Sequence, residues 1–393
     1  MTEAPEIPLH VRRNRYEPLP ELLQLRDQPL TKVNLRFGGE AWLTTRYEDV
    51  RQVLGDAVTF SNSMEGRPIP LALRSENPRG DGFLLTYDPP DHNRLRRLLT
   101  PEFTVRRIRR LAPRIEAIVQ EHLDALEEAG PPADLVSMFG LPIPSLVICE
   151  LLGVPYEDRG EFQHRSSIRL DVSLDLDVRG AAIAASREYM AALIARQRAN
   201  PGDDMIGMLI REHGDDLTDL ELTGVADLLL LAGHETTSNM LSLGTMLLLE
   251  NPEQAAEVRA GRMVDEAVEE LMRYLSVVHS VTPRTAREDV VVGGQKVAAG
   301  EIVLCSLPAA NRDPVLGEHV DRFDVTRKTA SHLAFGHGIH HCIGAPLARM
   351  EMKIAFPALL RRFPGLAVAV PVDDVDYRSY SIVFGVKSLP VTW

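Results

Sequence analysis

"HLAFGHGIHHCIGAP", residues 332–346, sets four histidines and one cysteine among three glycines. Three chemistries suit such a stretch: a metal site, a reactive thiol, or the seat of a cofactor that brings its own metal. Zinc suits the ligand types of His337, His340, His341 and Cys342, but structural zinc sites draw on two separated ligand pairs. The chain offers no second Cys/His pair. A catalytic thiol needs a partner base and an electropositive setting. A buried cysteine acting as a small hydrophobe is the third possibility. It is the reading for Cys149 in "LVICELL" and Cys305 in "IVLCSLP".

Cys342 differs in its surroundings. The pattern is Phe335-x-x-Gly338-x-x-x-Cys342-x-Gly344, followed by "APLARMEMKIAFPALLRRF" (345–363) with helical spacing and Pro346 in its first turn. Cys342 is thereby placed at a helix N-terminus, where free N–H groups and the positive dipole end stabilise a thiolate. Gly338 and Gly344 carry no side chain, so a flat ligand could approach the backbone, with Phe335 packed against it. Pro357 inside the helix is expected to kink it.

The chain has 393 residues, 45% hydrophobic and 25% charged, with a formal net charge of −13. No repeat or low-complexity linker divides it, so residues 1–393 read as a single domain. The acidic balance argues against nucleic acid as a partner. Three distant cysteines form no disulfide framework. The N-terminal "MTEAPEIPLHVRRNRYEPLP" has no apolar run, which reads as no signal peptide, no membrane anchor and a cytoplasmic location.

The expected architecture is mainly α with a minor β part. Residues 32–37 and 41–45 read as a hairpin around Gly38-Gly39, and 290–306 as another. Residues 103–128 have helical spacing, and 134–155 read as a buried helix closed by Gly153 and Pro155. The clearest helix is 218–250, opened by the capping box Thr218 to Glu221 and ended by Asn251-Pro252. It is apolar nearly all round and should run through the middle. Asp227, His234 and Glu235 interrupt it, so it is not a membrane span. Within it lies "LAGHETTS". Ala232 and Thr236 are four apart and share a face, and Gly233 leaves room beside them. The Thr236 hydroxyl can bond back to the Ala232 carbonyl and bend the helix. An acid such as Glu235 on a buried helix is costly unless paired or useful. Glu270-x-x-Arg273 is, by itself, an ordinary helical ion pair.

The cysteine stretch resembles the haem-binding loop of the cytochrome P450 family, and the other motifs match that family in order from about residue 35 to the C-terminus. The resemblance implies a P450-like fold of the soluble bacterial type, with a long central helix over haem. It makes Cys342 the axial thiolate, which pushes electron density onto iron. It places Phe335, Gly338 and Gly344 against the haem, and Ala232 and Gly233 at an oxygen groove. Glu235 and Thr236 become the acid–alcohol pair that delivers protons. His92, Arg96, Arg284 and His340 match the propionate partners. Glu270 and Arg273 become a buried structural pair, completed by Arg322 in "DRFD". The pocket is walled by Leu84, Leu229, Val277, Val278, Ile382 and Val383, all apolar.

The implied activity is a monooxygenase of secondary metabolism that inserts one oxygen atom from O2 into an apolar small molecule, by hydroxylation or epoxidation. Its electrons are expected from a ferredoxin and a ferredoxin reductase, since the chain has no flavin or NAD fingerprint. The basic run "RLRRLLTPEFTVRRIRRLAPR" (94–114) suits an acidic ferredoxin, with Arg349, Lys353 and Arg361 assisting. Asp171, Asp175 and Asp177 suggest attraction of a cationic group on the substrate. The alternatives are a haem-thiolate peroxygenase or oxidative coupling enzyme, and a non-catalytic haem-binding sensor.

Overall fold

The computed structural model describes residues 7–35, 39–65, 81–279, 282–328 and 331–393. Nine helices carry the argument: α1 (Tyr47–Gly55), α2 (Asp91–Leu99), α3 (Ala112–Ala129), α4 (Pro142–Leu152), α5 (Arg159–Leu170), α6 (Leu176–Ala199), α7 (Asp219–Leu249), α8 (Val264–Leu275) and α9 (Ala345–Arg362). The helices Met205–His213 and Pro252–Arg259 and several shorter helical turns join them.

The long helix α7 organises the rest. The Thr218 hydroxyl accepts from the Glu221 N–H at 3.1 Å, and a Glu221 carboxylate oxygen accepts from the Thr218 N–H at 3.0 Å. Two amides left free at the helix start are thus satisfied reciprocally. At about 1.5 Å per residue, its 31 residues run roughly 46 Å. It packs against α4, α6 and α9, and its side chains are buried almost throughout. Arg169 of α5 clamps it from one side, donating to both Asp227 oxygens at 2.7 and 2.8 Å, with the Ser186 hydroxyl of α6 donating to the same carboxylate at 2.6 Å. Asp227 is therefore fully compensated although it is 1% exposed. Among the described residues, no helix is long and apolar enough to cross a membrane.

Two expected helices are broken by proline chemistry. Residues 103–128 split into a short Thr104-capped turn, Val105–Ile108, and α3, which has Pro113 in its first turn. Residues 134–155 contain a π-helical turn, Val136–Gly140, before α4 restarts at Pro142. Proline lacks the N–H that would continue a preceding ladder but suits a helix start. Gly153 ends α4 in the left-handed conformation, as expected. By contrast, α9 is a continuous helix across the buried Pro357.

The β part is small. A five-stranded sheet has the order β1-β2-β7-β4-β3, from β1 (Thr31–Asn34), β2 (Glu40–Thr44), β3 (Phe60–Ser61), β4 (Arg284–Ala286) and β7 (Ile302–Cys305). β1 and β2 are antiparallel, as the first expected hairpin requires; its residues 36–38 lie outside the described residues. In the 290–306 stretch only β5 (Val290–Val292) and β6 (Gln295–Val297) pair with each other. β7 instead runs parallel to β2 and antiparallel to β4.

Candidate functional site

The loop before α9 carries Cys342. Gly336 and Gly338 have φ of +75° and +72°, a conformation that favours glycine. Gly338 has a second constraint: a Cβ there would lie 2.3 Å from the Leu54 carbonyl oxygen of α1. Its missing side chain therefore admits α1. The Cys342 N–H donates to the Phe335 carbonyl at 2.9 Å, closing the loop on itself. α9 begins three residues after Cys342, with Gly344 at its N-cap. A Cβ on Gly344 would stand 3.9 Å from the sulfur.

The three cysteines behave differently. Cys149 and Cys305 are buried, and burial pushes both thiols up to about 12. Cys342 is exposed. The protein packed around it raises its thiol, but the N–H groups of Gly344 and Ala345 and the charges of Arg96 and Arg349 act in the opposite direction. Burial is the largest of these influences, and the opposing groups do not outweigh it.

A basic cluster lies beside the loop. His92 on α2 meets His340 with ring centroids 4.2 Å apart. Burial lowers His340 to about 3, reinforced by His92, Arg284 and Arg96. Burial also lowers His92, Arg96 and Arg284. Arg96 donates to the His341 carbonyl at 2.8 Å, and Arg284 to the Thr282 carbonyl. The Nε2 of His92 is buried without a hydrogen-bond partner among the described residues. Asp88 is the carboxylate that bears on His92, Arg284 and His340, and Ser61, Asn62 and Arg287 already engage it. Four basic groups thus converge with too little negative charge, a donor set that suits a multiply anionic ligand.

The middle of α7 completes the region. Between Glu221 and Leu248 every residue is buried except Leu231, Ala232, Gly233 and Thr236, and Ala232 is exposed. The Thr236 hydroxyl donates to the Ala232 carbonyl at 2.9 Å, the expected back-bond. Gly233 serves another purpose than expected. A Cβ there would meet Ile148 Cδ1 at 2.8 Å, so its lack of a side chain lets α4 pack closely. Glu235 is buried, and its Oε2 accepts from Arg378 Nη1 at 2.6 Å. His234 Nδ1 donates to the Leu230 carbonyl at 2.6 Å, leaving Nε2 3.9 Å from Glu235.

Sequence reasoning missed Arg378. It lies in the turn that precedes Ile382 and Val383. That turn bridges to Asp171 through Ser381 and to Val278 through Val383, while the Phe384 N–H donates to the Val277 carbonyl at 2.7 Å. Val277, Val278, Ile382 and Val383 are so brought together. Leu84 and Leu229 are buried in the same apolar cluster as Val277 and Val383.

One further expectation is corrected. Glu270 and Arg273 form the buried pair, at 2.7 and 2.8 Å, but the third arginine is Arg327, whose Nε lies 3.2 Å from Glu270 Oε1. Arg322 contributes only its carbonyl, which accepts from Arg273 and Arg327. The chain turns at Arg322 so that its backbone, not its guanidinium, meets the pair. Asp171 is engaged by the Ser173 N–H and hydroxyl at 2.8 and 2.6 Å, and Asp175 and Asp177 stand at the N-cap and first turn of α6. These acids complement a helix start and its own turn.

Comparison with known proteins agrees with this geometry. The family model for cytochrome P450 matches residues 183–261 and 262–388. Cytochrome P450 165B3 from Amycolatopsis orientalis is 45% identical over 405 residues, covering 100% of both chains. The structure of P450 StaH from glycopeptide antibiotic A47934 biosynthesis superposes with a TM-score of 0.88 at 47% identity, covering 99% of this chain and 100% of that one. CYP105P1 in complex with filipin I gives 0.91 at 42% identity, over 100% and 99%. Likeness of this extent in both sequence and structure has one explanation: the chain belongs to the cytochrome P450 family and is an oxidoreductase of its monooxygenase class.

Proposed function

We propose that the whole chain acts as one cytoplasmic haem-thiolate monooxygenase domain, with Cys342 as the axial ligand. The observation that carries this reading is the under-compensated cluster of His92, Arg96, Arg284 and His340 beside the accessible Cys342. The cluster suits the haem propionates, and Phe335 supports the loop beneath. Haem bound there would supply reductive activation of dioxygen and transfer of one oxygen atom to an organic substrate.

The residues do the rest. The N–H groups of Gly344 and Ala345 stabilise negative charge on the sulfur. Thr236 presents its hydroxyl on the accessible side of α7, and its bond to Ala232 fixes the direction of that hydroxyl. Glu235 holds its carboxylate on the buried side against Arg378. Glu235 resupplies a proton to the Thr236 hydroxyl, directly or through water; its contact with Arg378 uses Oε2 alone. Leu84, Leu229, Val277, Val278, Ile382 and Val383 exclude water around an apolar substrate.

Electrons come from a ferredoxin served by its reductase. Arg97, Arg106, Arg109 and Arg110 are exposed on α2 and the turn after it, next to the exposed Val105. Arg349 and Lys353 are committed to Glu269 and Asp265, so they assist docking less than their charge suggested. The likeness to StaH favours a peptide-derived antibiotic precursor as a substrate class, and the likeness to CYP105P1 one of filipin type.

Soret titration of the purified protein with representatives of both classes tests the reading, followed by turnover with dioxygen, ferredoxin and reductant. A spin-state shift and reductant-dependent oxidation are expected. Oxidation driven by peroxide alone, with no gain from reductant, would replace monooxygenation by the peroxygenase reading. Reversing charge at Arg106 and Arg109 should weaken ferredoxin-driven turnover and flatten its salt dependence. Unchanged turnover would remove the docking assignment.

A further inference from the structure

A set of contacts beneath the cysteine loop is not used by the chemistry above. Glu269, on α8 next to the buried Glu270, accepts from Arg349 of α9 through both oxygens, Nε to Oε1 at 2.6 Å and Nη2 to Oε2 at 2.8 Å. His332, three residues before Phe335, joins them. Its Nδ1 accepts from the Ala334 N–H at 3.2 Å, so in the neutral ring Nε2 carries the proton and donates to Glu269 at 3.1 Å. These donors and the Arg349 charge hold the Glu269 carboxyl down at about 2, against the opposing pull of burial.

Arg349 links this group to the cysteine. Its guanidinium carbon stands 4.5 Å from the centroid of the Phe335 ring. The rings of His332 and His341 lie 6.0 and 6.2 Å from the same ring. Phe335 in turn fixes the Cys342 amide through its carbonyl. Arg96 and Arg349 are cations whose fields reach the Cys342 sulfur. Arg96 rests on a neutral carbonyl, whereas Arg349 is held in a two-pronged carboxylate pair. A carboxylate at hydrogen-bond distance cancels much of a guanidinium's field beyond a few ångströms.

We propose that Glu269 is a positioning residue that sets the electron affinity of the haem-thiolate centre by screening Arg349 and seating it on Phe335. The proposal rests on the reading of Cys342 as haem ligand. Reduction adds an electron, so unscreened positive charge near the sulfur favours the reduced form, and uncompensated negative charge disfavours it.

The test is a potentiometric titration of the Soret band on the haem-loaded enzyme. Glu269→Gln should raise the reduced-to-oxidised ratio at fixed potential at least twofold. Arg349→Gln should lower it at least twofold. The double variant and Glu269→Asp, which keeps the charge, should both return to within twofold of the native ratio. Shifts of one sign in both single variants would mark a loosened loop rather than a charge effect and would overturn the proposal. Shifts below twofold, or a double variant far from native, would overturn it too. A native protein with no haem spectrum would remove this proposal and the reading beneath it, while a normal spectrum with failed shifts removes the proposal alone.

Discussion

Two buried basic clusters flank the cysteine loop, and they are built on opposite principles. Around Glu270, Arg273 spends its donors on two carboxylate oxygens and on the carbonyls of Asn311, Val320 and Arg322, and Arg327 adds a further contact. Every charge there has a partner within the chain. Around His340, the basic groups repel one another, and a buried nitrogen of His92 has no partner among the described residues. A closed cluster holds a fold together, whereas an open one of this kind is held together by what binds it. The contrast separates arginines paired within the chain from arginines that lack a carboxylate partner among the described residues.

The largest expected effect lies in the closed cluster. Arg273→Ala strips Glu270 of its main partner in a site 1% exposed, and such a loss costs about 3–5 kcal/mol. Denaturant midpoints would register it as a lower unfolding free energy. A loss below about 1 kcal/mol would mean that Arg327 alone compensates Glu270.

The open cluster should respond through ligand retention instead. Arg284→Gln removes one charged donor, worth about 1.5–3 kcal/mol toward an anion. Haem release to excess apomyoglobin should accelerate about tenfold or more, with the far-ultraviolet circular dichroism unchanged. Unchanged release would place the propionates elsewhere.

A smaller effect sharpens the rule that buried charge needs a partner. Glu351 on α9 is 1% exposed, its Oε2 has no partner among the described residues, and burial raises its carboxyl well above the ordinary value. The folded chain therefore binds a proton that the unfolded chain releases near 4.5, so this site contributes a loss of stability as pH rises from there toward the folded value. Each unit of difference is about 1.4 kcal/mol. Glu351→Gln should raise the thermal midpoint at pH 8 and leave it nearly unchanged at pH 4. Equal midpoints at both values would mean that Glu351 has a counter-charge in solution.

These clusters also explain what the sequence disclosed. The capping box at Thr218, the Cys342 loop and the Thr236–Ala232 bond were legible because each is local, with partners within a few residues. The third arginine beside Glu270 was misassigned because Arg322 and Arg327 lie in one loop, and only the turn of the chain decides which guanidinium reaches the carboxylate. Arg378 and Glu269 were passed over because their partners lie 143 and 80 residues away. Gly233 and Gly338 were recognised as positions without side chains, but the pattern could not say what approaches them. In each case it is another helix.

The account stands on Cys342 as the haem ligand, and its most direct test is the Soret spectrum of the reduced, carbon monoxide-bound protein beside that of Cys342→Ser. The native protein should bind one haem per chain and show the red-shifted band of thiolate ligation. The variant should lose that band while keeping its circular dichroism. The same red-shifted band in both proteins, or a native protein that takes up no haem, would contradict it.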